Sequence, residues 1–188
     1  RHVTATETMM RSRQVWLAIV VVSSLSACSQ LQPPVPHQTQ QQFVLPNQFS
    51  LAGRIGVKLE NKGHYGNFDW QHHSGNDQLD ILSPLGQTVA RLSADQSGVR
   101  LQQGERIYEA TSAEALTQHT LGWGLPLDNL RFWIHGQPAP NTDYQATASG
   151  FRQQGWLIES EPQGSTHPQR VILQRPQLDI RFAIHRWN

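Results

Sequence analysis

The stretch FSLAGRIGVKL, residues 49–59, decides the fold of this chain. Its apolar side chains recur at every second position apart from a glycine, at Phe49, Leu51, Ile55, Val57 and Leu59. Successive side chains of a β-strand point to opposite faces, so this period predicts a strand with one buried face. A glycine-containing turn at 61–63 follows, after which Phe68 and Trp70 alternate with polar residues. The two runs together predict an antiparallel hairpin.

The remainder of the chain predicts more strands of this kind and two short helices. Strands are expected at 78–82, 87–93, 98–102, 106–109, 144–147, 155–159, 170–174 and 178–185. The first helix is expected to begin at a capping box, with Thr111 as N-cap and Glu114 reaching back, and to end near Gly122. The second is expected over 127–135, with an apolar stripe, and to end at Gly136.

The spacing of the turn residues indicates how the strands are arranged. Turn signals about every ten residues are typical of a meandering antiparallel sheet. With about 10–11 strands, such a sheet can enclose an interior too wide for its own side chains to fill. The predicted fold is therefore mainly β with a few short helices: an open, curled antiparallel β-barrel whose hydrophobic cavity is capped by helices.

The apolar positions on the presumed inward faces are the candidates for lining this cavity. They are Phe49, Leu51, Ile55, Val57, Phe68, Trp70, Leu79, Ile81, Leu92, Leu101, Trp133, Ile180, Phe182 and Ile184. Packing and ligand lining need the same alternating apolar face, so the sequence does not separate ordinary core residues from cavity residues.

The N-terminal residues have the three zones of a secretory signal peptide. Basic Arg11 and Arg13 precede an apolar run at 15–22, which is shorter than the about 20 residues that a membrane-spanning helix needs. The chain's only cysteine, Cys28, then ends the sequence LSAC, which resembles a bacterial lipobox. We therefore predict that Cys28 is acylated and becomes the first residue of the mature protein.

Three segments follow from this interpretation. They are a cleaved signal peptide at 1–27, an acylated cysteine with a flexible Gln/Pro-rich tether at 28–48, and one folded domain at 49–188. Loss of the signal peptide lowers the formal net charge from +1 to −1, which argues against a nucleic-acid partner. Ser29, rather than Asp, follows the cysteine, and by resemblance to bacterial lipoproteins this indicates the outer membrane.

Four segments of the folded domain resemble the LolB family of outer-membrane lipoprotein receptors. They are LAGRIGV at 51–57, LSPLGQ at 82–87, GWGLPL at 122–127 and LRFWIHGQP at 130–138. The resemblance implies an open antiparallel barrel with a hydrophobic cavity under helices. It also implies a periplasmic partner, the carrier LolA, whose lipoprotein cargo passes its acyl chains into the cavity and then into outer-membrane lipids. It implies no cofactor and no nucleotide.

The turn formed by Ser83, Pro84, Leu85 and Gly86 carries an unusual residue at its tip. Proline and glycine stand where a tight turn favours them, but a leucine is unexpected where polar residues are usual. An exposed Leu85 could enter a bilayer interface, or it could fold back and pack on the sheet. The family resemblance favours the first interpretation, because an exposed leucine of the matching loop serves membrane delivery there. Pro84, Leu85 and Gly86 are thus the predicted membrane-delivery loop.

Two other classes of function remain open from the sequence. A structural or assembly lipoprotein could have a fully packed barrel that only docks envelope partners. An envelope hydrolase is the other class, but no G-x-S-x-G motif occurs, the single cysteine is assigned to the anchor, and the histidines lack metal-ligand spacing. We expect no enzyme activity and no metal. Scattered basic residues could attract an acidic carrier or simply be solvated: Arg54, Lys58, Arg91, Arg100, Arg131 and Arg152.

Overall fold

A computed structural model describes residues 43–188 of the chain. The predicted signal peptide, Cys28 and the tether up to residue 42 lie outside the described residues, so these three expectations stay predictions. The C-terminal end of the predicted tether, at 43–48, and the predicted domain, at 49–188, lie within the described residues.

The described residues form eleven strands and two helices, in agreement with the predicted mainly β fold. The first six strands are β1 (Gln48–Leu59), β2 (Lys62–His73), β3 (Asn76–Leu82), β4 (Thr88–Asp95), β5 (Gly98–Gln103) and β6 (Arg106–Ala110). After helices α1 (Ala113–Leu121) and α2 (Leu127–Trp133) come β7 (Tyr144–Ala146), β8 (Gly150–Gln153), β9 (Trp156–Glu161), β10 (Arg170–Arg175) and β11 (Leu178–Trp187).

All the strands belong to one antiparallel sheet. Their order is β6-β5-β4-β3-β2-β1-β11-β10-β9-β8-β7, so each strand pairs with its neighbour in sequence except where the last strand, β11, pairs with the first. Within residues 43–188, β6 and β7 are the two edges and do not pair with each other. The sheet is therefore open, as predicted.

The central pair, β1 and β11, approaches unusually closely at Gly53. The register shifts between Ala52 and Gly53, and a Cβ atom on Gly53 would lie 2.0 Å from the carbonyl oxygen of Ala183. A side chain at this position would have to displace backbone atoms of the neighbouring strand. The glycine that interrupts the apolar alternation of 49–59 is thus required by the sheet itself.

The start of α1 differs in detail from the prediction, whereas its end does not. Ser112, not Thr111, is the N-cap, and its hydroxyl accepts a hydrogen bond from the backbone N–H of Ala115. Either hydroxyl could satisfy a free N–H group at a helix start, so the sequence alone does not choose between neighbouring residues. At the other end Gly122 adopts φ 80°, which closes the helix as expected for a glycine C-cap.

Helix α2 ends two residues earlier than predicted. Beyond Trp133 the backbone tightens, because His135 N–H donates to Phe132 O and Gly136 N–H to Trp133 O. These bonds span three residues rather than four, which is the pattern of a 3₁₀ turn. Within residues 43–188, neither helix is long and apolar enough to cross a membrane.

Strand β8 was not predicted from the sequence. It has only four residues, and its inward positions are occupied by one apolar side chain, Phe151, and one polar side chain, Gln153. The period-two pattern of apolar residues is therefore too short to be detected. The strands that were predicted are all present, and their bounds differ from the predicted bounds by a few residues.

Candidate functional site

The inner face of the sheet carries thirteen of the fourteen residues that were predicted to line a cavity, and the fourteenth, Trp133, lies on helix α2 above it. Twelve of the fourteen are buried, and the other two, Val57 and Ile81, are partly buried and pack against the same apolar cluster. The alternation in the sequence therefore identified the inner face correctly. Which of these side chains would contact an acyl chain stays a prediction.

Two groups of residues complete this inner face and were missing from the predicted set. One group comes from the helical side: Leu116, Leu125, Leu127, Leu130 and Ile134. The other comes from the second half of the sheet: Phe151, Trp156, Ile158, Val171, Leu173 and Leu178. The alternation of Val171 and Leu173 was a usable signal, and so was the apolar stripe predicted for the second helix, which contains Leu127, Leu130 and Ile134.

Helix α2 and the turn after it form a roof over the inner face. Leu130, Trp133 and Ile134 each have 0% of their surface exposed, and they belong to the same apolar cluster as the inner face of the sheet. Two polar links tie the roof to the sheet, one to β3 and one to β8. These strands lie in opposite halves of the sheet, so both halves converge on the same short helix.

The first link is a buried carboxylate, Asp77, on β3. Its side chain is fully buried, and Arg131 of α2 reaches it with Nε at 2.7 Å and Nη2 at 2.6 Å from Oδ2. The other carboxylate oxygen accepts from Trp70 Nε1 at 2.9 Å and lies 2.8 Å from His72 Nδ1. A buried charge is tolerated when it is paired and hydrogen-bonded, as it is here. The Asp77 link therefore joins the roof to strands β2 and β3.

The second link is a buried amide, Gln153, on β8. Its Oε1 accepts from Trp133 Nε1 at 2.7 Å and from the backbone N–H of Ala139 at 2.8 Å. Its Nε2 donates to the carbonyl oxygens of Ala139 and Thr142 at 2.9 and 3.0 Å. One side chain thus satisfies both the roof tryptophan and the connection that leads from α2 to β7.

A histidine at the end of the roof sits in an aromatic cluster. The His135 ring is 1% exposed and lies 4.9 Å from the ring centroids of both Phe49 and Trp187, and 5.2 Å from that of Phe43. Its Nδ1 lies 2.7 Å from the carbonyl oxygen of Thr166. Burial lowers the pKa of His135 below its usual value, and the nearby rings of His167 and His72 add to this. The neutral ring is therefore the form that fits this cluster.

The predicted membrane-delivery loop, residues 84–86, is a tight turn between β3 and β4. Gly86 N–H donates to Ser83 O at 2.9 Å, and Gly86 adopts φ 83°. Leu85 stands at the tip with 88% of its surface exposed, so it does not fold back onto the sheet. The geometry suits an apolar side chain that meets a surface outside the protein.

The six basic residues considered for a carrier surface do not form one free patch. Arg91 pairs with Asp80 at 2.6 Å, Arg100 with Glu109 at 3.0 Å, and Arg131 belongs to the Asp77 link. Among residues 43–188, no group of three or more histidine, cysteine or acidic side chains is placed to hold a metal ion.

Comparison with known proteins gives a consistent family. The model of the family "Outer membrane lipoprotein LolB" matches residues 47–187. An outer-membrane lipoprotein LolB from Chromobacterium violaceum is 41% identical over 144 residues, covering 74% of this chain and 80% of the relative. Another from Thiobacillus denitrificans is 34% identical over 174 residues, covering 88% and 92%. A solved structure of a LolA superfamily protein from Nitrosomonas europaea is 8% identical with a TM-score of 0.46, covering 78% of this chain and 87% of that one.

Proposed function

Because this chain belongs to the LolB family of outer-membrane lipoproteins, we propose that it is a receptor for lipoproteins on the periplasmic face of the outer membrane. In this proposal it is anchored through acylated Cys28 and accepts lipoproteins from the carrier LolA. It binds their acyl chains between the roof and the inner face, and inserts them into the outer membrane without nucleotide hydrolysis. The family is one of lipoproteins rather than enzymes, which agrees with the expectation from the sequence.

One observation carries the proposal: a continuous apolar inner face lies under a short helical roof, which buried polar links at Asp77 and Gln153 join to strands in opposite halves of the sheet. An acyl chain gains about 0.8 kcal/mol for each methylene that leaves water. Burying two or three more methylenes than the carrier does would favour the receptor by roughly 2 kcal/mol, about thirtyfold in the equilibrium constant. This affinity difference would drive the handover in one direction, so no nucleotide is needed.

The test of acyl binding uses the non-acylated Cys28→Ala protein. It is incubated with purified LolA that carries a labelled lipoprotein, without nucleotide, and the label is followed by affinity separation of the two proteins. Label should move to the receptor and not return. Bis-ANS should also bind the protein and be displaced by a fatty acid. A folded protein that takes up neither label nor dye would contradict the proposal and favour a packed scaffold lipoprotein.

The test of membrane delivery is the substitution Leu85→Glu in the acylated protein. An exposed leucine that enters an apolar interface contributes about 1.5–3 kcal/mol, so its loss should slow insertion of lipoprotein into liposomes by roughly tenfold or more. Uptake from LolA should be unchanged. Val44→Glu is the matched control, because Val44 is an apolar residue that is 82% exposed and precedes β1 at the end of the sheet opposite the loop. Insertion at the normal rate by the Leu85→Glu protein would refute the role of the loop.

A further inference from the structure

A groove of about 690 Å³ lies on the outer face of the sheet, away from the roofed inner face. It crosses the four central strands β2, β1, β11 and β10. Arg54, Arg170, Arg181, Tyr65 and Pro84 are among its lining residues. The proposed handover of acyl chains does not use this face.

Cross-strand pairing explains the concave shape. Ala183 on β11 lies between Arg54 on β1 and Arg170 on β10. In the next row Gly56 on β1 lies between Tyr65 and Arg181. Each row therefore has a small residue in the middle and a large one on either side. The small residues form the floor of the groove, and the arginines and the tyrosine form its rim.

The rim is basic and carries one aromatic side chain. Arg170 and Arg181 each have an acidic neighbour, Glu161 at 2.6 Å and Asp179 at 2.8 Å. Arg54 is exposed and forms no ion pair within residues 43–188. A guanidinium has five donor hydrogens, so all three arginines keep donors for an anionic oxygen. The Tyr65 ring is 85% exposed, and tyrosine is enriched where proteins meet the headgroup level of a bilayer.

The groove is continuous with the membrane-delivery loop. Arg54 pairs across β1 and β2 with Asn67, whose side-chain amide donates to the carbonyl oxygen of Ser83 at 3.4 Å. Pro84 then lines the groove, and the exposed Leu85 follows it directly. A surface that Leu85 enters would therefore lie within reach of Arg54 and Tyr65.

We propose that this outer groove binds the phosphate of an anionic phospholipid headgroup in the membrane that Leu85 enters. The inference rests on the membrane-delivery part of the proposed function. Arg54 supplies the unpaired charge, Arg170 and Arg181 supply further donors, and Tyr65 packs against the headgroup region. An exposed leucine and tyrosine beside the arginines favour a membrane over an acidic protein. The groove would orient the domain so that its delivery loop points into the bilayer.

The test compares binding of the Cys28→Ala protein to vesicles of phosphatidylcholine and to vesicles in which about a third of the lipid is phosphatidylglycerol. A basic residue near an anionic surface contributes about 1 kcal/mol, so Arg54→Gln should weaken binding to the anionic vesicles about fivefold. Binding to the neutral vesicles should not change. Arg54→Lys should keep most of the anionic preference, because it keeps the charge. Arg106→Gln is the matched control, since Arg106 is an exposed arginine on the distant edge strand β6.

The outcomes separate this inference from the proposed function. If the Arg54→Gln protein binds anionic vesicles as tightly as the parent, or no more weakly than Arg106→Gln does, the groove does not bind an anionic headgroup and the inference is wrong. If Arg54→Gln leaves vesicle binding intact but lowers uptake from LolA, the groove serves a protein and the proposal is wrong. If the preference for anionic vesicles depends on Arg54 but the protein does not deliver lipoprotein, headgroup binding by the groove is supported and the receptor function is refuted.

Discussion

Replacing Asp77 with asparagine should destabilise the fold by about 3 kcal/mol. Removing one partner of a buried ion pair costs about 3–5 kcal/mol, because the other charge is left uncompensated. Arg131 keeps 19% of its side chain exposed and a second partner, Asp128, at 3.2 Å, which places the cost at the lower end of that range. Asparagine keeps the shape of the side chain, so the loss reports on charge rather than on a cavity.

The measurements are urea unfolding and thermal unfolding of the Cys28→Ala protein, both followed by the fluorescence of its tryptophans. At about 2–4 °C per kcal/mol for a chain of this size, the melting temperature should fall by about 6–12 °C. Glu109→Gln is the control, because it removes one charge from the exposed Arg100–Glu109 pair, with side chains 57% and 65% exposed. Exposed pairs contribute about 0–1 kcal/mol, so this control should change stability little.

A double-mutant cycle tests whether the lost free energy belongs to the link with the roof. Arg131→Met added to Asp77→Asn should cost much less than it does in the parent protein, since the two groups act as one pair. The folded Asp77→Asn protein should also bind bis-ANS more tightly, because the roof is held at one point fewer. Equal costs for Asp77→Asn and Glu109→Gln, or additive costs in the cycle, would refute the assignment of Asp77 as a link.

Two further predictions concern the core and the response to pH. Gly53→Ala should destabilise the fold by about 1–3 kcal/mol in urea unfolding, because the new Cβ would collide with the backbone of Ala183. Gly63→Ala is the control and should have a smaller effect, because the atom nearest to its Cβ, the Tyr65 hydroxyl oxygen, is 3.4 Å away. Burial lowers the pKa of His135, so the unfolded chain takes up its proton first as the pH falls. The contribution of His135 is therefore complete above about pH 6.5 and is lost as the pH falls toward its folded-state pKa. His135→Phe should flatten this decline and the exposed His185→Phe should not; equal slopes for both would contradict the burial argument.

The period of two in the sequence was sufficient to predict the long strands and their inner face. Strands β1 and β11 show it most clearly, because they are twelve and ten residues long and carry apolar residues on one buried face. Strand β8 was missed because Gln153 occupies an inward position, where a polar residue hides the pattern. Gln153 is polar because it satisfies the Trp133 indole and the backbone around Ala139. The residue that hid the strand is thus the one that ties the roof to it.

The contacts that define the candidate site could not be predicted, because they join residues far apart in the chain. Asp77 and Arg131 are 54 positions apart, and Arg54 and Arg170 meet across Ala183 only through the pairing of β1 with β11 and β10. Alternation shows which face a residue is on, but register shows which residue of another strand lies beside it. The exposed leucine of the loop, by contrast, was visible in the sequence, because a local turn positions it.

The two kinds of contact under the roof have different consequences for an entering acyl chain. Methylene groups of the chain can replace the apolar contacts that Leu130 and Ile134 make with the inner face, because burial of apolar surface is not directional. They cannot replace the hydrogen bonds of Asp77 and Gln153, since a hydrocarbon has no donors or acceptors. A roof that opens for an acyl chain must therefore keep these links or leave buried polar groups unpaired, at about 1–3 kcal/mol each. The proposed receptor is expected to regain them when the lipid leaves, which gives the roof a defined closed position.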